Sequence, residues 1–126
     1  MGTPVLIKEF KKEEFACKCG ECGMGYEQMQ QTTLYKLFTA RKRSSVKFVV
    51  RSAVRCDKHN MLEGGKNNSA HKSGYAVDIG FKDMHECFII LKALIEGGFE
   101  RIGINFQLMF IHVDDDPTKP KGVFRY

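Results

Sequence analysis

Three residues of metal-binding type, His71, Asp78 and His112, stand out by their spacing. The stretch Ser69-Ala70-His71-Lys72-Ser73-Gly74-Tyr75-Ala76-Val77-Asp78 places a histidine and an aspartate on either side of a glycine that permits a tight turn. Far along the chain, His112-Val113-Asp114 supplies a second histidine. Two neutral imidazoles and one carboxylate form a ligand set that zinc accepts. Three protein ligands leave the fourth position for water, which is the mark of a catalytic site and not of a closed structural one. The expected cofactor is therefore Zn2+, held by His71, Asp78 and His112. His85 falls in a helical stretch and matches nothing, so it reads as surface.

The pattern Ser-x-His-x-x-Gly-x-Ala-x-Asp followed by His-x-Asp resembles the zinc peptidases that cut peptidoglycan stem peptides. That group includes D-alanyl-D-alanine carboxypeptidases and endopeptidases and shares a fold with the hedgehog signalling domain. Upstream, Glu14-Phe15-Ala16-Cys17-Lys18-Cys19-Gly20 resembles the opening segment of many phage and bacterial members. Arg51 to Asn60 resembles their serine, arginine and histidine-asparagine stretch. The resemblance covers most of the chain in the expected order.

The resemblance implies metal-assisted hydrolysis by a small zinc metallopeptidase acting on peptidoglycan stem peptides or crosslinks. Arg55 matches the family's arginine, and its guanidinium suits a substrate carboxylate or the developing oxyanion; a surface salt bridge is the plainer role. His59 either donates to the same oxyanion or packs against its loop. Ser69 either binds substrate or caps the turn through a backbone hydrogen bond. Many members carry an acid a few positions before the last histidine, yet Leu108, Met109, Phe110 and Ile111 offer none. Asp114 is the local substitute. It shares the face of His112 on a strand, either as general base or as the carboxylate that orients the imidazole. Asp115 and Asp116 read as solvated turn residues before Pro117.

The elements that must hold these residues follow from periodicity. Residues 1 to 25 read as an irregular arm broken by Gly20, Gly23 and Gly25. Met29, Leu34, Leu37 and Phe38 predict a helix from near Tyr26 to near Arg43, with basic residues at the end that the helix dipole favours. Val46–Ser52 reads as a strand, Arg55 to Ser69 as largely loop, and Tyr75–Phe81 as a second strand with Ala76 and Asp78 on one face. Asp83 caps a helix to about Glu96, ended by Gly97-Gly98. Arg101–Phe106 and Leu108–Val113 predict an antiparallel pair, and the tail is irregular up to Val123-Phe124. The sum is one α+β domain, residues 1–126, with a mainly antiparallel sheet and flanking helices.

Composition narrows the setting. The 126 residues are 43% hydrophobic and 28% charged, ordinary for a globular protein. No apolar run reaches the roughly 20 residues of a bilayer span, and Met1–Phe10 lacks the pattern of a secretory signal. The net charge of +5 suits an anionic partner without choosing one; Arg41-Lys42-Arg43 reads as a solvated helix end. Five cysteines cannot all pair, so a reducing compartment of synthesis is expected. Cys17, Cys19 and Cys22 are either free thiols or ligands of a second, structural zinc with Cys56 or His59. The expected partner is a peptidoglycan stem peptide, met by a monomer without nucleic acid. Synthesis in the cytoplasm and release by phage lysis or carriage in a virion, as for an endolysin, would bring it to the cell wall. The rival reading is a hedgehog-like zinc module that binds a cell-wall or protein partner without cutting.

Overall fold

The computed structural model describes residues 4–126; Met1–Thr3, at the start of the expected irregular arm, lie outside the described residues. The fold is α+β. Among the described residues it has three α-helices, α1 (Gln31–Arg43), α2 (Asp57–Leu62) and α3 (Met84–Glu96). The strands are β1 (Val49–Ser52), β2 (Ala76–Gly80), β3 (Arg101–Asn105), β4 (Phe110–Asp114) and β5 (Gly122–Arg125). They form one sheet in the order β1-β2-β4-β3-β5. Every pairing is antiparallel except β3 with β5. Among the described residues no helix is long and apolar enough to cross a membrane.

Strand alternation divides the sheet into two unlike faces. Side chains on a strand point alternately to opposite sides, and directly paired residues share a side. Val77 pairs with Val113 and Ile79 with Ile111. With Val50 and Ile102 these residues enter the core that Leu34, Leu37, Phe38, Ile90 and Leu94 of α1 and α3 complete. The other face carries Ala76, Asp78, His112 and Asp114, with Asp78 paired to His112 and Ala76 to Asp114. One register therefore fixes both the core and the polar face. A slip of one residue would exchange them.

Several boundaries differ from expectation, each for a local reason. The first helix starts at Gln31, not near Tyr26. A single 3-10 turn, Tyr26–Gln28, precedes it, and Gln30 is held extended by hydrogen bonds from its backbone N–H to the Gly74 carbonyl (3.0 Å) and from its amide to the Ser73 carbonyl (2.9 Å). β1 starts at Val49 because the Ser44 hydroxyl takes both the N–H and the carbonyl of Val46. The expected loop from Arg55 contains α2, whose first turn is capped by the Cys56 sulfur accepting from the His59 N–H. The tail is more regular than expected, since Gly122–Arg125 adds a parallel edge strand. Asp83 caps α3 as expected, accepting from the Glu86 N–H at 2.8 Å. The arm contributes Phe10 and Phe15 to the core, and the 3-10 turn and the residue after it contribute Tyr26 and Met29.

Candidate metal centre

Two neighbouring strands and one turn build the centre. β2 supplies Asp78, β4 supplies His112 directly opposite, and the turn before β2 supplies His71. Gly74 makes that turn possible. It sits at φ +77°, and a Cβ there would run into the Gln28 carbonyl. The Ser69 hydroxyl accepts from the His71 N–H at 3.3 Å, and so caps the turn from its other side.

All three side chains are buried, with 3–6% of each residue exposed. His71 Nε2 lies 3.2 Å from Asp78 Oδ1, and His112 Nδ1 lies 3.0 Å from the same oxygen. The second nitrogen of each ring decides what these contacts are. His71 Nδ1 is 2.7 Å from the Ala53 carbonyl, which can only accept, so Nδ1 carries the hydrogen and Nε2 the lone pair. His112 Nε2 is 2.6 Å from Asp114 Oδ2, which places its hydrogen there and its lone pair on Nδ1. Lone pairs from three groups thus converge with no hydrogen between them. Such an arrangement needs a shared cation or an added proton. The donor set, one carboxylate oxygen and two imidazole nitrogens each held in its tautomer by a second partner, fits zinc.

The charges respond accordingly. Burial would raise Asp78, but where added protons take the place of the cation, the charge of His71 and hydrogen bonds from both histidines hold its carboxyl well below the ordinary range. Burial would lower His112, yet hydrogen bonds to Asp114 and Asp78 push it upward.

A second layer surrounds this set. Arg55 reaches Asp78 Oδ2 at 3.4 Å, donates to the Ser52 hydroxyl at 2.9 Å and to Asn60 Oδ1 at 3.4 Å. Three of its N–H groups are so used and two are left. Asp114 is 1% exposed. Its Oδ2 faces His112 and Arg101 Nε (3.1 Å), and its Oδ1 accepts from the Asp116 N–H. His59 stays within α2, facing Glu63 at 3.5 Å; among the described residues no hydrogen bond or ion pair joins it to the three candidate ligands. Asp115 and Asp116 are not solvated as expected. Asp115 binds Thr33 and Lys36 of α1, and Asp116 accepts from the Thr118 N–H and hydroxyl, so the chain after β4 is pinned down.

Four contributors were not singled out from sequence. Asn60 is 3% exposed and ties Arg55 to the carbonyl of Lys66. Arg101 braces Asp114 and lies over the Phe124 ring. Phe124 packs on His112 with ring centroids 5.6 Å apart, above Gly103, where a Cβ would overlap the Phe124 ring. Tyr126 lies beside Phe110, Phe124 and His112. Tyr126 is 60% exposed overall, and partial desolvation with the negative charge of Asp78 pushes its phenol above its ordinary value. Phe124 and Tyr126 are two positions apart, so strand alternation in the tail was the signal for placing them together.

No curated protein matches the chain. The sequence profile of the family described as Peptidase M15 matches residues 8–114, a span that includes the arm from Lys8, all three helices and β1 to β4, but not β5. With His71, Asp78 and His112 all inside the matched span, the chain belongs to the Peptidase M15 family, a family of zinc metallopeptidases.

Proposed function

We propose that this protein is a zinc peptidase that hydrolyses peptide bonds in peptidoglycan stem peptides or their crosslinks. The observation that carries the reading is the convergence of His71 Nε2, Asp78 Oδ1 and His112 Nδ1, each lone pair fixed by a partner on the far side of its group. A zinc ion held there supplies a Lewis acid for the scissile carbonyl and lowers the pKa of a water molecule toward about 7.

The chain's own residues then divide the remaining work. Asp114 orients His112 and is not the general base, because both its oxygens are engaged and it is shut away from solvent. Arg55 holds Asp78 through one oxygen, leaving the other for the metal. Its two remaining N–H groups offer a permanent positive charge to a stem-peptide carboxylate or to the oxyanion. The Tyr126 ring stands edge-on to His112 with centroids 6.5 Å apart, which puts a neutral phenol beside the centre. Ser69 shapes the turn and His59 faces Glu63 with no hydrogen bond at its Nε2 among the described residues, and neither is given a part in the proposed chemistry.

The test is mass spectrometry of purified peptidoglycan fragments incubated with the zinc-loaded protein, beside an equally folded His71→Ala control. New fragments confined to the wild type are expected, and their masses identify the bond cut. Intact fragments in both samples, with zinc bound to the wild type, would overturn the proposal and leave a non-cleaving zinc module.

A further inference from the structure

The arm and the start of α2 bring four sulfurs together. Cys17 Sγ lies 3.8 Å from Cys56 Sγ, which lies 3.9 Å from Cys19 Sγ, and these three sulfurs with that of Cys22 all lie within 4.8 Å of one another. A disulfide needs an S–S separation of about 2.05 Å, and all four cysteines are free. The spacing matches a different geometry. Four sulfurs at about 2.3 Å from a tetrahedral zinc are about 3.8 Å apart along each edge.

The backbone around the cluster is arranged for thiolates. Cys17 accepts from the N–H of Cys56, Cys19 from those of Glu21 and Cys22, Cys22 from that of Met24, and Cys56 from that of His59, each at 3.4 Å. Every sulfur therefore receives a backbone donor, and such donors favour the charged form of the group they meet. Gly20 and Gly23, directly after Cys19 and Cys22, sit at φ +74° and +76°, so the chain curls tightly after each of these two sulfurs. Four thiolates at these distances would repel one another without a cation between them, and the cluster's spacing leaves room for one.

We propose that Cys17, Cys19, Cys22 and Cys56 hold a second zinc ion in a closed tetrathiolate site. Four protein ligands leave no position for water, so the site is structural. It joins the arm to residue 56, next to Arg55 in the chain, and so braces the segment whose guanidinium holds Asp78. The proposal does not depend on the peptidase reading, because none of its ligands belongs to the His71, Asp78 and His112 set.

Cobalt substitution in the His71→Ala protein tests it, since that variant lacks a ligand of the first site only. One cobalt per chain is expected, with the near-ultraviolet sulfur-to-cobalt charge-transfer absorption and strong visible bands of a tetrahedral thiolate site, all removed by added zinc. In the native sequence two zinc ions per chain are expected, falling to one in the double variant Cys19→Ser, Cys22→Ser. If that double variant does not fold, the cobalt spectrum of His71→Ala still decides. Cobalt bound without the charge-transfer absorption, four freely titrating thiols in the zinc-loaded chain, or a preference for iron when both metals are supplied would each overturn the proposal.

Discussion

The two candidate ligand clusters of this chain are built in opposite ways. His71, Asp78 and His112 are buried on or beside the two central strands of the sheet, and their positions follow from a register that also packs Val77, Ile79, Ile111 and Val113 into the core. The four cysteines sit where regular structure is scarce, in turns of the arm and at the cap of a six-residue helix. The difference separates two uses of a metal. A rigid sheet holds three ligands still while leaving a coordination position open, whereas a closed site can itself supply rigidity to a segment that lacks a sheet.

The changes expected to have the largest effect break this division of labour. His71→Ala should lower hydrolysis by at least about 10²–10³-fold, the scale of losing one electrostatic stabiliser of the transition state, while the cysteine cluster keeps its metal. Fragment release and metal content on the same sample check both halves. Removing Cys19 and Cys22 should act chiefly on stability. The loss should match or exceed that of a core truncation such as Ile111→Ala, about 2–5 kcal/mol, as read by denaturant unfolding. Equal losses of activity per folded molecule in both variants would erase the distinction between the sites.

Smaller effects sharpen it. Asp114→Asn should weaken zinc affinity or activity by about 10–100-fold, as expected for a group that orients a ligand, and competition with a chelator measures it. In the metal-free protein His112 is raised above its ordinary 6.5, so its contribution to stability is complete below pH 6.5 and is lost as pH rises through its raised value. Asp78 is lowered from 3.8, and its contribution holds above that value and is lost only as pH falls well below it. Thermal unfolding across pH should therefore show zinc stabilising most on the alkaline side, where its ligands need no deprotonation. Asp83→Ala, which only uncaps α3, should cost about 1 kcal/mol and leave the metal content at both sites unchanged.

What could be read in the sequence follows the same contrast. The candidate ligands on and beside the sheet could be picked out because β2 and β4 alternate cleanly and the Ser69 to Asp78 motif carries its own turn glycine, and the fold brings the three together. The register that sets Asp78 opposite His112 was not, since it depends on pairing across the sheet. α2 was hidden because six residues running into a glycine- and asparagine-rich turn give too short a period to register. The start of α1 was misplaced because the competing hydrogen bonds come from Ser73 and Gly74, distant in sequence. The fourth sulfur at Cys56 needed the fold to choose it over His59, whose ring turns instead to Glu63. β5 gave only a faint signal, since its four residues are mostly exposed and their order comes from pairing with β3.

The most direct test of the account is hydrolysis of purified stem peptides by metal-stripped protein as zinc is added back. The account predicts no cleavage without metal and a return of activity that saturates as zinc fills the His71, Asp78 and His112 centre. It also predicts that Cys19→Ser, Cys22→Ser protein, if folded, recovers activity with one equivalent, while His71→Ala recovers none. Full cleavage by the stripped protein, or none at any zinc loading, would contradict it.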